Sequence, residues 1–192
     1  MLRDTAARVL SILGHPALLM PAAIVGTTLS GGAPAATVAV AAGASLAVAG
    51  AVLAYSFLRV RSGAWAHPDA SRPDERLQLN LFLLATLLVV SVLSYSQSRP
   101  QAVTLGALLC AGIIATALLL RKRLKVSLHV AFAMFAAALW WPNPVFALQL
   151  ALAGGLAWSR LALRRHTQAE VVIGAIVGAV AGLGFLVYGR TS

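Results

Sequence analysis

Residues 102–120, AVTLGALLCAGIIATALLL, carry no charged side chain and stop at Arg121-Lys122-Arg123. At ~1.5 Å per helical residue, such a run matches the hydrocarbon core of a bilayer, about 30 Å thick. Backbone N–H and C=O groups in lipid must be satisfied within the segment, so the run reads as a helix. The same pattern repeats outward in both directions. Further apolar runs rich in Leu, Ala and Val cover residues 9–30, 35–58, 79–97, 126–141, 145–158 and 171–189. Of the 192 residues, 60% are hydrophobic and 10% charged, against about a quarter charged in ordinary soluble domains. This composition excludes a water-soluble globular domain. It predicts one all-α unit over residues 1–192, a polytopic membrane helix bundle with six or seven transmembrane helices.

Helix breakers divide the runs. Gly31-Gly32-Ala33-Pro34, Arg99-Pro100 and Trp141-Pro142-Asn143-Pro144 make tight, nearly uncharged turns. The other connections, residues 59–76, 121–125 and 159–170, are crowded with polar side chains. Two spans separate each polar loop from the next, so all three are expected on one side. Arg3 and Arg8 precede the first run, which reads as a retained helix rather than a cleaved signal because further spans follow at once. They share the side of the polar loops, and the excess of basic residues there makes that side cytoplasmic. The expected location is a bacterial cytoplasmic membrane. The formal charge is +10, but its residues sit in short clusters between apolar runs. That distribution points to anionic lipid headgroups as partners and not to nucleic acid.

Smaller signals concern packing. Gly174, Gly178 and Gly182 recur every four residues, a spacing that lets helices approach closely. Cys110 is the sole cysteine and lies in an apolar run, where it is expected to pack as a small hydrophobe. Trp65, Trp140, Trp141 and Trp158 fall near span ends, as in an aromatic belt. Runs 126–141 and 145–158 are short for full spans, so their polar ends are expected to line a cavity below the headgroups.

The third polar loop carries the chemistry: Ser159-Arg160, five residues, His166, three residues, Glu170. In a helix beginning near His166, positions 166 and 170 lie one turn apart on one face. A carboxylate there fixes the imidazole tautomer and leaves the other ring nitrogen free as a nucleophile. Arg160 adds a planar fork suited to phosphate oxygens. The same pair also suits a helix-end hydrogen bond or part of a metal site. His129 also reads as an interfacial cap, and His15 and His67, each before a proline, read as solvated or turn residues.

Ser159-Arg160-x5-His166-x3-Glu170 resembles the third motif of the type-2 phosphatidic-acid phosphatase superfamily, Ser-Arg-x5-His-x3-Asp, with glutamate in place of aspartate. Val126-Ser127-Leu128-His129 resembles its second motif, Pro-Ser-Gly-His, keeping serine and histidine. Arg72-Pro73 resembles the end of its first motif, Lys-x6-Arg-Pro, with Trp65 at the lysine position. The resemblance implies a membrane lipid-phosphate phosphatase working through a phosphohistidine, without cofactor or metal. It implies that His166 attacks phosphorus, Glu170 holds its ring, and His129 protonates the leaving oxygen and then activates water. Arg72, Ser127 and Arg160 would hold the phosphate, with Arg76 or Arg61 as alternatives in the first loop. The implied substrate is a phosphomonoester or diphosphate of a phospholipid or polyprenyl lipid. Two other functions fit the same residues: a degenerate member that binds lipid phosphate without turnover, and an anion or lipid transporter. Against transport, the ionisable residues cluster at span ends and not near the midplane.

Overall fold

The structure, a computed structural model, describes residues 2–70, 72–96 and 101–189. The described helices are α1 (Leu2–Leu13), α2 (Pro16–Ser30), α3 (Ala35–Arg61), α4 (Pro73–Ser96), α5 (Gln101–Leu120), α6 (Leu128–Leu139), α7 (Val145–Ala162) and α8 (Gln168–Tyr188). There is no strand among the described residues. Five helices, α3, α4, α5, α7 and α8, are long and apolar enough to cross a membrane, and α1 with α2 makes a sixth span if the bent pair is one. The expected Arg99-Pro100 turn lies outside the described residues.

Several element boundaries differ from the sequence expectation, among them the end of α3, which runs on to Arg61. Residues 9–30 are not one helix: the chain bends by 54° between α1 and α2. Pro16 disfavours helical backbone at the residue before it, and His15 is accordingly extended at φ −62°, ψ 131°. α4 begins at Pro73, so Asp74, Glu75 and Arg76 form its first turn and not part of a loop. α7 runs on to Ala162, ~27 Å at 1.5 Å per residue. It is not short, and Arg160 sits in its last turn.

The remaining run is short indeed, and it occupies the centre. α6 has 12 residues, ~18 Å, and packs against α2, α5, α7 and α8. Val130, Ala131, Phe132, Ala133, Phe135, Ala136 and Ala137 are all buried. The glycine stripe of α8 explains how closely the two helices lie. A Cβ at Gly174 would stand 2.6 Å from the Ser127 carbonyl oxygen; at Gly178 it would meet the Ala131 carbonyl, and at Gly182 the Ala138 methyl. On the outside, Leu46, Phe57, Val92, Val180 and Leu183 are more than half exposed, an apolar surface suited to lipid.

The three polar connections meet at one end of the bundle. The Arg165 guanidinium lies 3.2 Å from Asp69 Oδ2, and the Lys125 ammonium donates to the Arg165 carbonyl at 2.9 Å. The Gly31 turn and the Trp141-Pro142-Asn143 turn flank one small hollow elsewhere, beside Thr27 and Leu139. Trp65 is not part of an aromatic belt. It is buried inside the first loop, against the Tyr55 ring, with its indole N–H donating to Gln78 at 3.2 Å.

Candidate active site

α8 begins with a capping box. The Thr167 hydroxyl accepts from the Glu170 N–H at 3.4 Å, and Glu170 Oε2 accepts from the Thr167 N–H at 3.0 Å, satisfying two otherwise orphaned donors. His166 therefore precedes the helix and does not open it. The same Glu170 Oε2 lies 3.1 Å from His166 Nδ1. With Nδ1 carrying the proton toward the carboxylate, Nε2 keeps its lone pair. The Thr-x-x-Glu signature was present in the sequence and explains a placement that helical periodicity alone does not.

The loop holding His166 folds back onto the end of α7, where the Arg160 carbonyl accepts from both the Arg165 and His166 N–H groups. Arg160 itself is buried. One Nη1 donates to Ser11 of α1 at 2.9 Å, and the neighbouring Ser159 hydroxyl donates to the Ala7 carbonyl at 2.6 Å. The Arg160 Nε is buried without a hydrogen-bond partner.

The second loop is tied to the third through Glu170. Its carbonyl accepts from the Ser127 N–H at 3.1 Å, and its Oε1 accepts from the Lys125 N–H at 3.3 Å. Ser127 is fully buried and its hydroxyl has no partner. An unpaired buried hydroxyl and guanidinium nitrogen each cost free energy, on the order of 1–3 kcal/mol. Polar atoms of this kind call for an explanation, and Arg160, which lines the adjoining cavity, could give its Nε–H to an anion bound there.

A cavity of about 1060 Å³ opens beside this cluster; Val126 and Leu128 are on its wall, whereas Ser127 and Glu170 are not. His129, Arg160, His166, Lys125, Arg165 and Arg76 line its polar end, while Met20, Ala41, Val48, Leu83 and Phe132 line its apolar length. It reaches Thr28, Ala102 and Leu139. The stretch of α5 from Ala102 to Arg121, both on its wall, corresponds to ~28 Å of helix rise. Burial first, then the Lys125 and Arg160 charges, hold the His166 ring down at about 4, with Glu170 pulling the other way. Its imidazole is neutral at physiological pH. Burial, then Arg76, lowers Lys125 against the pull of Glu170.

The three arginines expected at the first motif divide. Arg76 lines the cavity, whereas Arg72 and Arg61 do not. The Arg72 side chain is 65% exposed and pairs with Asp74 at 3.2 Å, while its backbone N–H caps onto Glu75 at 2.9 Å. Arg61 is exposed at the end of α3. His15, read from sequence as a solvated or turn residue, lines the cavity with its ring centroid 5.2 Å from that of His129. His67 lines the rim but its side chain is 62% exposed.

Together these features define a helical membrane protein with a histidine–arginine cluster at the mouth of a deep apolar cavity. Among the described residues no three His, Cys, Asp or Glu side chains converge as a metal site. Compared with known proteins, the chain matches no family model, no curated sequence and no solved structure.

Proposed function

We propose that this chain is a membrane lipid-phosphate phosphatase working through a phosphohistidine. One observation carries the reading: a carboxylate-held histidine, a second histidine and a buried arginine with an unpartnered Nε meet where an apolar cavity ends in cations. A phosphate joined to a hydrocarbon chain is complementary to both halves. On this reading α1–α2 is a sixth span, α6 lies inside the bundle, and the polar end faces the cytoplasm by its charge.

In the first step the Nε2 lone pair of His166 bonds to phosphorus, the phosphorus–oxygen bond to the lipid breaks, and protonated His129 gives its proton to the departing oxygen. A bound phosphate dianion favours that protonated form of His129 by its charge. Glu170 stabilises the positive ring of phospho-His166. Arg160 and Ser127 donate to the equatorial oxygens, where phosphoryl transfer concentrates charge. In the second step water attacks phosphorus and gives a proton to His129, the phosphorus–nitrogen bond breaks, and orthophosphate leaves. Arg76 and Lys125 supply the remaining positive charge.

The test is phosphate release by purified protein from phosphatidic-acid, phosphatidylglycerol-phosphate and polyprenyl phosphate and diphosphate substrates, in chelator, with His166→Ala as control. Expected is turnover that survives chelation and is lost in the variant, with acid-quenched labelled phosphate trapped on wild type alone. Activity that needs an added divalent ion would overturn the mechanism. Binding of these lipids with no release would favour the non-turnover reading, which Trp65 at the lysine position and Arg72 outside the cavity support.

A further inference from the structure

The α1–α2 elbow puts one more histidine into the cavity. His15 caps α2: its Nδ1 accepts the Ala17 N–H at 3.2 Å. A nitrogen that accepts cannot also carry the proton, so the neutral ring has its proton on Nε2. The backbone around it is held on several sides. Pro16 keeps it extended, a Cβ on Gly14 would collide with the Leu156 side chain of α7, and α1 is pinned to α7 through Ser159 and Arg160. The ring so fixed meets His129 edge to face, at 85° between planes. Aromatic rings in this arrangement attract each other through their quadrupoles and restrict each other's rotation. His129 stands one residue into a short helix, and its own described contacts include no hydrogen bond from the imidazole.

We propose that His15 is a positioning residue for His129, holding the ring of the acid–base group toward the leaving oxygen. This rests on the phosphatase reading above. Without His15 the phosphohistidine still forms, but the proton is delivered from a poorly aligned ring. Alignment of this kind is a fraction of the 10²–10⁴-fold that general acid–base catalysis supplies.

His15→Asn separates the two roles of the residue, because asparagine is a good N-cap and keeps an oxygen for the Ala17 N–H. Turnover of a long-chain alkyl phosphate, whose leaving oxygen needs a proton, is compared with that of an aryl phosphate, whose leaving group does not. Expected is a loss of about tenfold on the alkyl substrate against less than about twofold on the aryl one, with unchanged thermal unfolding and with phosphate still trapped on His166. Equal losses on both substrates, or none, would overturn the proposal while leaving the phosphatase reading intact. Inactivity of wild type on every lipid phosphate would instead strike the reading itself. A second readout needs no turnover: in protein labelled with 15N-histidine, the His129 ring-nitrogen signals should shift in His15→Asn. Identical His129 signals in the two proteins would exclude the contact.

Discussion

Glu170 serves three partners with two oxygens. It caps α8 through Thr167, lies against the His166 imidazole, and receives the Lys125 N–H from the second loop. Only the interaction with a positive ring depends strongly on its charge. Glu170→Gln keeps an acceptor for the cap, so its stability should stay within about 1 kcal/mol of wild type. Turnover should fall on the order of 10²-fold, by analogy with the carboxylates of hydrolytic triads. Glu170→Asp retains the charge but shortens the reach, so thermal unfolding should fall further than for Gln. The ordering of these two variants, read by unfolding and by rate, tests whether charge or reach governs each property. His166 offers an independent measurement. Its ring should titrate near 4 by NMR, below the 6.5 of a free imidazole. The sign follows: the neutral ring's contribution to stability is complete above 6.5 and declines as pH falls toward 4, because the unfolded chain takes up the proton first. A His166 titration at or above 6.5 in the free protein would contradict the burial and the neighbouring cations.

At the scale of elements, the packing of α8 on α6 sets the distance between the two loops that carry Ser127–His129 and His166–Glu170. Gly178→Ala should cost roughly 1–3 kcal/mol, the usual penalty for forcing an extra methyl into a filled space, and should reduce turnover by moving α6. Gly112 on α5, where a Cβ meets nothing within 4 Å, supplies the control: Gly112→Ala should be neutral or slightly stabilising. The sequence spoke clearly where solvent transfer decides the outcome. Uncharged runs and Pro/Gly turns yield helices and their order. It was quieter about α6, because a helix apolar on every side looks alike whether lipid or protein surrounds it. The Pro16 break was hidden in a run whose hydrophobicity continues through it. In the first loop, sequence ranked Arg72 above Arg76, whereas Arg76 lines the cavity. The segment before Arg76 is folded by Trp65 packing on Tyr55 and by buried Glu75 accepting from Ala66 and Arg72, contacts that no local spacing encodes. The histidine–carboxylate pair was legible because four residues along the chain suffice to define it; the approach of His15 to His129 spans more than a hundred and does not.

For the whole molecule, the gathering of three loops is a statement about sidedness that can be measured. In a Cys110→Ser background, single cysteines at Arg123 and Thr167 should react with an impermeant reagent from the same face. Cysteines at Gly32 and Asn143, in the tight turns, should react from the other. The Cys110 thiol is itself buried, so its removal should leave labelling elsewhere unchanged. Different faces for Arg123 and Thr167 would be incompatible with one site built from both loops.

On the phosphatase reading the cationic rim would act after the chemistry as well as before it. Arg76, Arg121, Lys122, Lys125, Arg164 and Arg165 border the cavity with Asp69 and Asp74 as the acidic residues among them, and this surplus cannot tell an esterified phosphate from a free one. On that reading, once the lipid alcohol had gone orthophosphate would be left in this cationic field, with no hydrocarbon chain to draw it away. Its escape would then govern the cycle time. Added orthophosphate should compete with substrate, and raising the ionic strength should shorten its residence by screening exposed charges within a Debye length of about 8 Å at physiological salt. If the phosphatase reading holds, turnover at saturating substrate should rise in moderate salt, although the same salt would weaken the first encounter with the lipid.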